Sequence, residues 1–139
     1  MSKVPTLVRD YMSSKVATLR EDQNVREAVE VFTQYNVFSA VVLNNIGNLV
    51  GIVSVSDCIH VAMNSGYNSG WRGTVGELMS RDVRVVETTD NIINVAKMFM
   101  SDNYRRYPVI DDNRVVGVIT RLDVLKGLNK IVNSSQIPV

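Results

Sequence analysis

The sequence predicts a mixed α/β (α+β) fold made of two copies of one β-α-β-β-α unit, and three observations carry that prediction. Gly51-Ile52-Val53-Ser54-Val55-Ser56-Asp57 returns as Gly117-Val118-Ile119-Thr120-Arg121-Leu122-Asp123. Val8, Met12-Ser13, Val16, Asn24, Phe32 and Asn36 recur as Val75, Met79-Ser80, Val83, Asn91, Phe99 and Asn103, at a constant offset of 67 (75 − 8). The offset slips by one residue only where Asn44-Asn45-Ile46-Gly47-Asn48 faces the shorter Asp111-Asp112-Asn113-Arg114, and a turn is where two copies of one fold tolerate a change of length.

Each unit opens on a short strand, near Val16–Leu19 and again near Val83–Val86. A helix follows. Val25, Ala28, Val29 and Phe32, and then Ile92, Val95, Ala96 and Phe99, have the i, i+3, i+4, i+7 spacing of one helix face. Asn24, with Glu27 three residues on, has the capping-box arrangement, whereas Asn91 caps without that carboxylate. Two β-rich runs come next, Ala40–Leu43 with Leu49–Ser54 and Tyr107–Ile110 with Val115–Thr120, separated by Asn-, Asp- and Gly-rich turns as hairpins require. A second helix closes each unit, over Val55–Met63 and from Arg121 to about Val132. The expected division is a first domain at 1–65, a linker at 66–73 rich in Gly, Ser and Asn, and a second domain at 74–139. Tyr67 and Trp71 are unusual in a purely flexible connector and are expected to pin it to the body.

The chain has 139 residues, 45% apolar and 21% charged, with a net charge of +1. Each half alone would bury only about 60% of its unfolded surface, so the halves are expected to pack together and share a core, with a ligand at their junction. Nothing in the charge supports nucleic-acid binding. No apolar run reaches the roughly 20 residues that span a bilayer, and the start has no signal-peptide core, so a cytoplasmic protein without a membrane partner is expected. Cys58 is the only cysteine and lies on the apolar stripe Val55, Cys58, Ile59 and Ala62, as core filler. His60 is alone too, and neither a metal site nor a set of catalytic residues emerges.

The order of elements, the duplication and the repeated Gly-apolar-apolar-Ser/Thr-x-x-Asp together resemble a pair of CBS domains, a Bateman module. The resemblance runs from about Val8 to about Val132 and leaves no room for a catalytic domain. It rests also on Val8-Arg9-Asp10-Tyr11-Met12, on Val75-Gly76-Glu77-Leu78-Met79 and on Tyr107-Pro108-Val109-Ile110-Asp111. It implies two units packed about a pseudo-twofold axis, with two clefts for adenine nucleotides. By the same resemblance Asp57 and Asp123 bind ribose hydroxyls, and Ser54 and Thr120 face phosphate. Arg105 and Arg106 are then phosphate ligands, and the base lies near Val16, Ala17 and Thr18, near Val83, Arg84 and Val85, and beside Tyr107 and Pro108. A carboxylate suits vicinal hydroxyls, a helix N-terminus suits an anion, and guanidinium forks match phosphate oxygens.

Competing readings stand beside these. Ser54-x-x-Asp57 and Thr120-x-x-Asp123 also fit a capping box, and the arginine pair could protect a strand edge. Arg121 could reach a phosphate or only decorate the helix start, where a cation opposes the helix dipole. The first unit has Phe38, Ser39 and Val41 where the second has Arg105, Arg106 and Pro108, so unequal clefts are expected. The functional expectation is a non-enzymatic regulatory module that binds AMP or ADP, then ATP, senses energy state, acts on an unidentified regulated protein and forms a homodimer. One alternative is the same fold with S-adenosylmethionine or NAD. Another is a ligand-free adaptor that dimerises through helices such as Ile92–Asp102, which carries Met98 and Met100.

Overall fold

The computed structural model describes residues 4–65 and 70–135. A single 3-10 turn at Val8–Asp10 precedes β1 (Thr18–Arg20), α1 (Val25–Tyr35), β2 (Ser39–Leu43), β3 (Leu49–Ser54) and α2 (Val55–Ser65). The second copy starts on the four-residue α3 (Val75–Leu78) and continues through β4 (Val86–Glu87), α4 (Ile92–Ser101), β5 (Arg106–Asp111), β6 (Arg114–Thr120) and α5 (Arg121–Ser135). The β-α-β-β-α expectation holds in both copies. The first strand of each begins two or three residues later than the apolar pattern suggests, because Thr18 and Val86 are where the parallel ladders to Val41 and Val109 begin.

The strands form two three-stranded sheets, ordered β1-β2-β3 and β4-β5-β6, each with a parallel first pair and an antiparallel hairpin. The length slip between copies is a difference of turn type. Asp112 (φ 51°) and Asn113 (φ 64°) are both left-handed, as a two-residue hairpin loop requires. The longer turn uses Asn44, whose Oδ1 accepts from the N–H groups of Ile46 and Asn48, and Gly47 at φ 85°. Asn24 caps α1 by accepting from Glu27 N–H, but Glu27 turns its carboxylate to the Gln23 amide instead of completing the box. Asn91 caps α4 through Ile93 N–H.

The chain divides into two compact units that cut across the sequence copies. Unit 1 holds the described residues of Met1–Lys15 and Arg84–Val139, and unit 2 holds those of Val16–Val83. The segment 8–13, first in the chain, therefore packs with the second copy's sheet, and 75–80 packs with the first copy's sheet. Backbone geometry explains the exchange. Ser13 and Val118 trade both N–H···O bonds at 2.9 Å, and Ser80 and Ile52 do the same at 2.9 Å. The neighbouring glycines make this approach feasible. A Cβ on Gly117 would lie 2.6 Å from Ser13 O, and one on Gly51 would lie 2.5 Å from Met79 Sδ and 2.9 Å from Ser80 O. Matched bonds fix the other end of each segment: Val8 N–H to Asp90 O and Ile92 N–H to Thr6 O in unit 1, Val75 N–H to Gln23 O and Val25 N–H to Gly73 O in unit 2.

Each unit has its own core. In unit 1, Val8, Val86, Ile92, Val95, Phe99, Tyr107, Val109, Ile119 and Val124 are buried together. In unit 2, Leu19, Val25, Ala28, Phe32, Val42, Val53, Cys58, Val75 and Met79 cluster, so the Cys58 thiol is core filler as expected. Burial, with the nearby Asp57 charge, pushes that thiol above its ordinary value. Trp71 packs against the unit 2 core, in line with a pinned connector, while Tyr67 lies outside the described residues.

Gly117→Ala should destabilise the protein by about 2 kcal/mol, because its methyl group meets a carbonyl oxygen that no rotamer change can move. Urea unfolding checks this, and an unchanged midpoint would show that the Ser13 segment is not held as described.

Candidate functional site

The two repeated motifs end as matched helix starts. In unit 2 the Asp57 Oδ2 accepts from Ser54 N–H at 2.8 Å while Ser54 Oγ accepts from Asp57 N–H at 3.2 Å. In unit 1 the Asp123 Oδ2 accepts from Thr120 N–H at 2.9 Å and Thr120 Oγ1 from Asp123 N–H at 3.2 Å. The capping-box reading is therefore realised in both copies, and it uses one carboxylate oxygen of each aspartate. Both aspartates remain partly exposed, so the second oxygen stays available to a ligand.

Around the unit 1 helix start lies an open cleft of about 490 Å³ lined by Asn103, Arg105, Arg106, Thr120, Arg121 and Leu122. Arg106 opens β5 opposite Thr120, which brings a guanidinium to the N-terminal end of α5. Arg105 and Arg106 form no ion pair among the described residues, so both bring uncompensated positive charge to the cleft. Three guanidiniums, a hydroxyl and a helix start converge here, an arrangement with the chemistry of an anion site. Unit 2 has no counterpart to the arginines, since Phe38 is 68% exposed and Ser39 follows it.

Arg121 does more than decorate the helix start. Its Nε donates to Tyr104 O at 3.1 Å, and its Nη2 donates to Phe99 O at 3.0 Å and Asp102 O at 3.2 Å, with the guanidinium 5.5 Å from the Phe99 ring centroid. Carbonyls at and just past the end of α4 thus offset the cost of a cation at the start of α5.

Four of the residues expected beside a base have other tasks. Tyr107 is fully buried, its ring stacked on Phe99 at 4.4 Å between centroids, and its hydroxyl donates to the Asp102 carboxylate at 2.6 Å. Pro108 is also fully buried. These two cannot present side chains to a ligand, which corrects that expectation: β5 is the middle strand of its sheet, buried from Tyr107 to Val109, with Tyr107 packed in the unit 1 core. Arg84 is exposed, but its Nη1 is bound to Asp102 Oδ2 at 2.9 Å. Ala17 packs on the unit 2 core. Val16, Val83 and Val85 are half-buried and Thr18 is exposed, in unit 2 apart from Val85.

Sequence reasoning missed Asn103 and Leu122 as lining residues and missed Asp102 altogether. The Asp102 carboxylate accepts from Tyr107 OH, Tyr104 N–H and Arg84. Desolvation alone would raise its pKa, but the bonds from Tyr107, Tyr104 and Arg84, with the Arg84 charge, together hold it below the ordinary carboxylate value. The Tyr107 phenol is pushed far above its usual value, first by burial and then by its bond to Asp102, so it stays a donor.

Comparison with known proteins places this architecture. The chain matches the CBS domain family over residues 8–64 and 75–130. It is 29% identical over 119 residues to the Methanocaldococcus jannaschii protein MJ1225, covering 86% of this chain and 41% of that one, so it spans about two fifths of that relative. The structure of Arabidopsis thaliana CBSX2 in complex with AMP superposes with a TM-score of 0.78 at 25% identity, covering 92% of this chain and 99% of that one. The CBS domain pair of protein MJ0100, in complex with 5′-methylthioadenosine and S-adenosyl-L-methionine, gives 0.73 at 25% identity, covering 95% of this chain and 100% of that one.

A carboxylate with a depressed folded pKa contributes stability above its unfolded value, near pH 4, and loses it as pH falls through the lower folded value. The melting temperature of Asp102→Asn should therefore trail the wild type by a constant margin from pH 8 to about pH 5. That margin should narrow below about pH 4. Thermal melts across this range check it, and a margin that widens in acid would contradict the assignment.

Proposed function

The chain belongs to the CBS domain family, as a tandem pair, and from that premise we propose that it is a regulatory module that binds an adenine nucleotide, AMP or ADP before ATP, in the unit 1 cleft. The observation that carries this reading is the pair of uncompensated arginines, Arg105 and Arg106, facing Thr120 at the start of α5. A phosphate there would pair with their charge and sit at the N-terminal end of α5. The free oxygen of Asp123 would take ribose hydroxyls. The AMP complex of CBSX2 supports this ligand class. Occupancy would favour one conformation of the cleft over others, and a regulated protein would read that difference. The module acts without chemistry of its own, as a cytoplasmic homodimer. Ser54 and Asp57 offer the second helix start to a less charged ligand.

S-adenosylmethionine is the second reading, favoured by the ligands of the MJ0100 pair. Its sulfonium is cationic, which sets it against Arg105, Arg106 and Arg121 in unit 1 and leaves unit 2 as its better site. No helix among the described residues is long and apolar enough to cross a membrane.

A thermal-shift panel of AMP, ADP, ATP, NAD and S-adenosylmethionine tests the proposal, since a ligand that binds the folded state raises the melting temperature by mass action. AMP or ADP should give the largest shift. Asp123→Asn, which keeps a capping acceptor, should weaken AMP binding by about tenfold in calorimetry. The largest shift from S-adenosylmethionine, with AMP inert, would overturn the reading.

A further inference from the structure

The segment that carries the arginines is held by a network that has no counterpart in the other unit. Asp102 ends α4 in an extended conformation, at φ −131° and ψ 177°, with its own N–H on Met98 O at 3.1 Å. Its carboxylate holds Tyr104 N–H at 3.2 Å, Tyr107 OH at 2.6 Å and Arg84 Nη1 at 2.9 Å. Arg121 then takes the carbonyls of Asp102 and Tyr104. Asp102, Tyr104 and Tyr107 are thereby fixed, and the residues between them, Asn103, Arg105 and Arg106, are the ones that line the cleft.

At the repeat offsets the four network residues Arg84, Asp102, Tyr107 and Arg121 correspond to Ala17, Tyr35, Ala40 and Val55. Unit 2 nevertheless builds the same strand order, the same parallel and antiparallel pairings and the same capping box. Its first helix ends differently, on Asn36 in the left-handed region at φ 58°, and Tyr35 is 66% exposed. The fold therefore does not need the network. What accompanies the network, and is missing without it, is the arginine pair.

We infer that Asp102 is a positioning residue that sets the phosphate specificity of the unit 1 cleft, by holding the 102–107 segment so that Arg105 and Arg106 converge on Thr120. The inference rests on the proposed nucleotide function. Arg84 completes the device from the β4 side: with one of its guanidinium nitrogens on the carboxylate, it ties the strand entry to the arginine segment. Asp102 acts through the arginines and does not itself touch ligand, because its carboxylate is only 14% exposed and its oxygens are occupied.

Calorimetry of AMP and of adenosine with the full chain, its Asp102→Asn variant and its Arg84→Ala variant tests this. The two ligands differ only in the phosphate. Asp102→Asn should lower AMP affinity by about tenfold or more and adenosine affinity by less than about twofold. Arg84→Ala, a change at an exposed side chain that leaves the fold intact, should move the same ratio in the same direction by a smaller factor. Equal losses for both ligands, or an AMP preference untouched in both variants, would overturn the role of Asp102 alone. A wild-type protein that binds AMP no more tightly than adenosine would overturn the phosphate reading and this inference with it.

Discussion

Two backbone contacts, Ser13 with Val118 and Ser80 with Ile52, constrain everything else in the molecule. Each is a pair of short N–H···O bonds made at a strand where only glycine lets the second backbone come close. Because the Met-Ser peptide of one copy lies on the glycine strand of the other, neither copy completes its sheet surroundings from its own sequence. The same strands, β3 and β6, run directly into α2 and α5, so the contact that seats the strand also sets where the helix starts. The Ser/Thr and Asp of each motif then close that start reciprocally. Glycine, hydroxyl and carboxylate in one seven-residue repeat thus have one structural explanation, which precedes any question of ligand.

On this common scaffold the two units carry different side chains at the same places. Unit 2 fills positions 17, 40 and 55 with Ala, Ala and Val, and ends its first helix on a left-handed Asn36. Unit 1 puts Arg84, Tyr107 and Arg121 there and ends its helix on Asp102. The outcome is a buried phenol on a partly shielded carboxylate, a guanidinium on helix-end carbonyls and two further guanidiniums at a cleft with no ion-pair partner among the described residues. Satisfied polar groups fix the segment, and unpaired positive charge remains at its exposed edge. The two copies share one frame, and a handful of differing positions place the arginines in unit 1 alone.

The elements were legible in the sequence because their causes are local. The helix faces of α1 and α4, the Asn24 and Asn91 caps, the hairpin turns and the unequal arginine content can all be read from adjacent residues. The short helices at Val8–Asp10 and Val75–Leu78 were not, because three or four residues carry no period. Nor was the exchange of segments, which depends on partners more than a hundred residues apart in the case of Ser13 and Val118. Tyr107 and Pro108 sit inside the segment most suggestive of binding, yet both are buried while Arg105 and Arg106 just before them line the cleft. Asp102 looked like an ordinary helix end. Its difference from Tyr35 was visible in the repeat, but the partners that give the difference meaning, Arg84 and Arg121, come from other elements of the unit.

A crystal structure of the full chain grown with AMP decides whether the repeated scaffold directs anion chemistry to one unit. Phosphate density is expected within hydrogen-bonding distance of Arg105, Arg106 and Thr120, with the Asp102 network unbroken. A phosphate seated on Ser54 of unit 2, or one pointing away from the arginines into solvent, would rule that out.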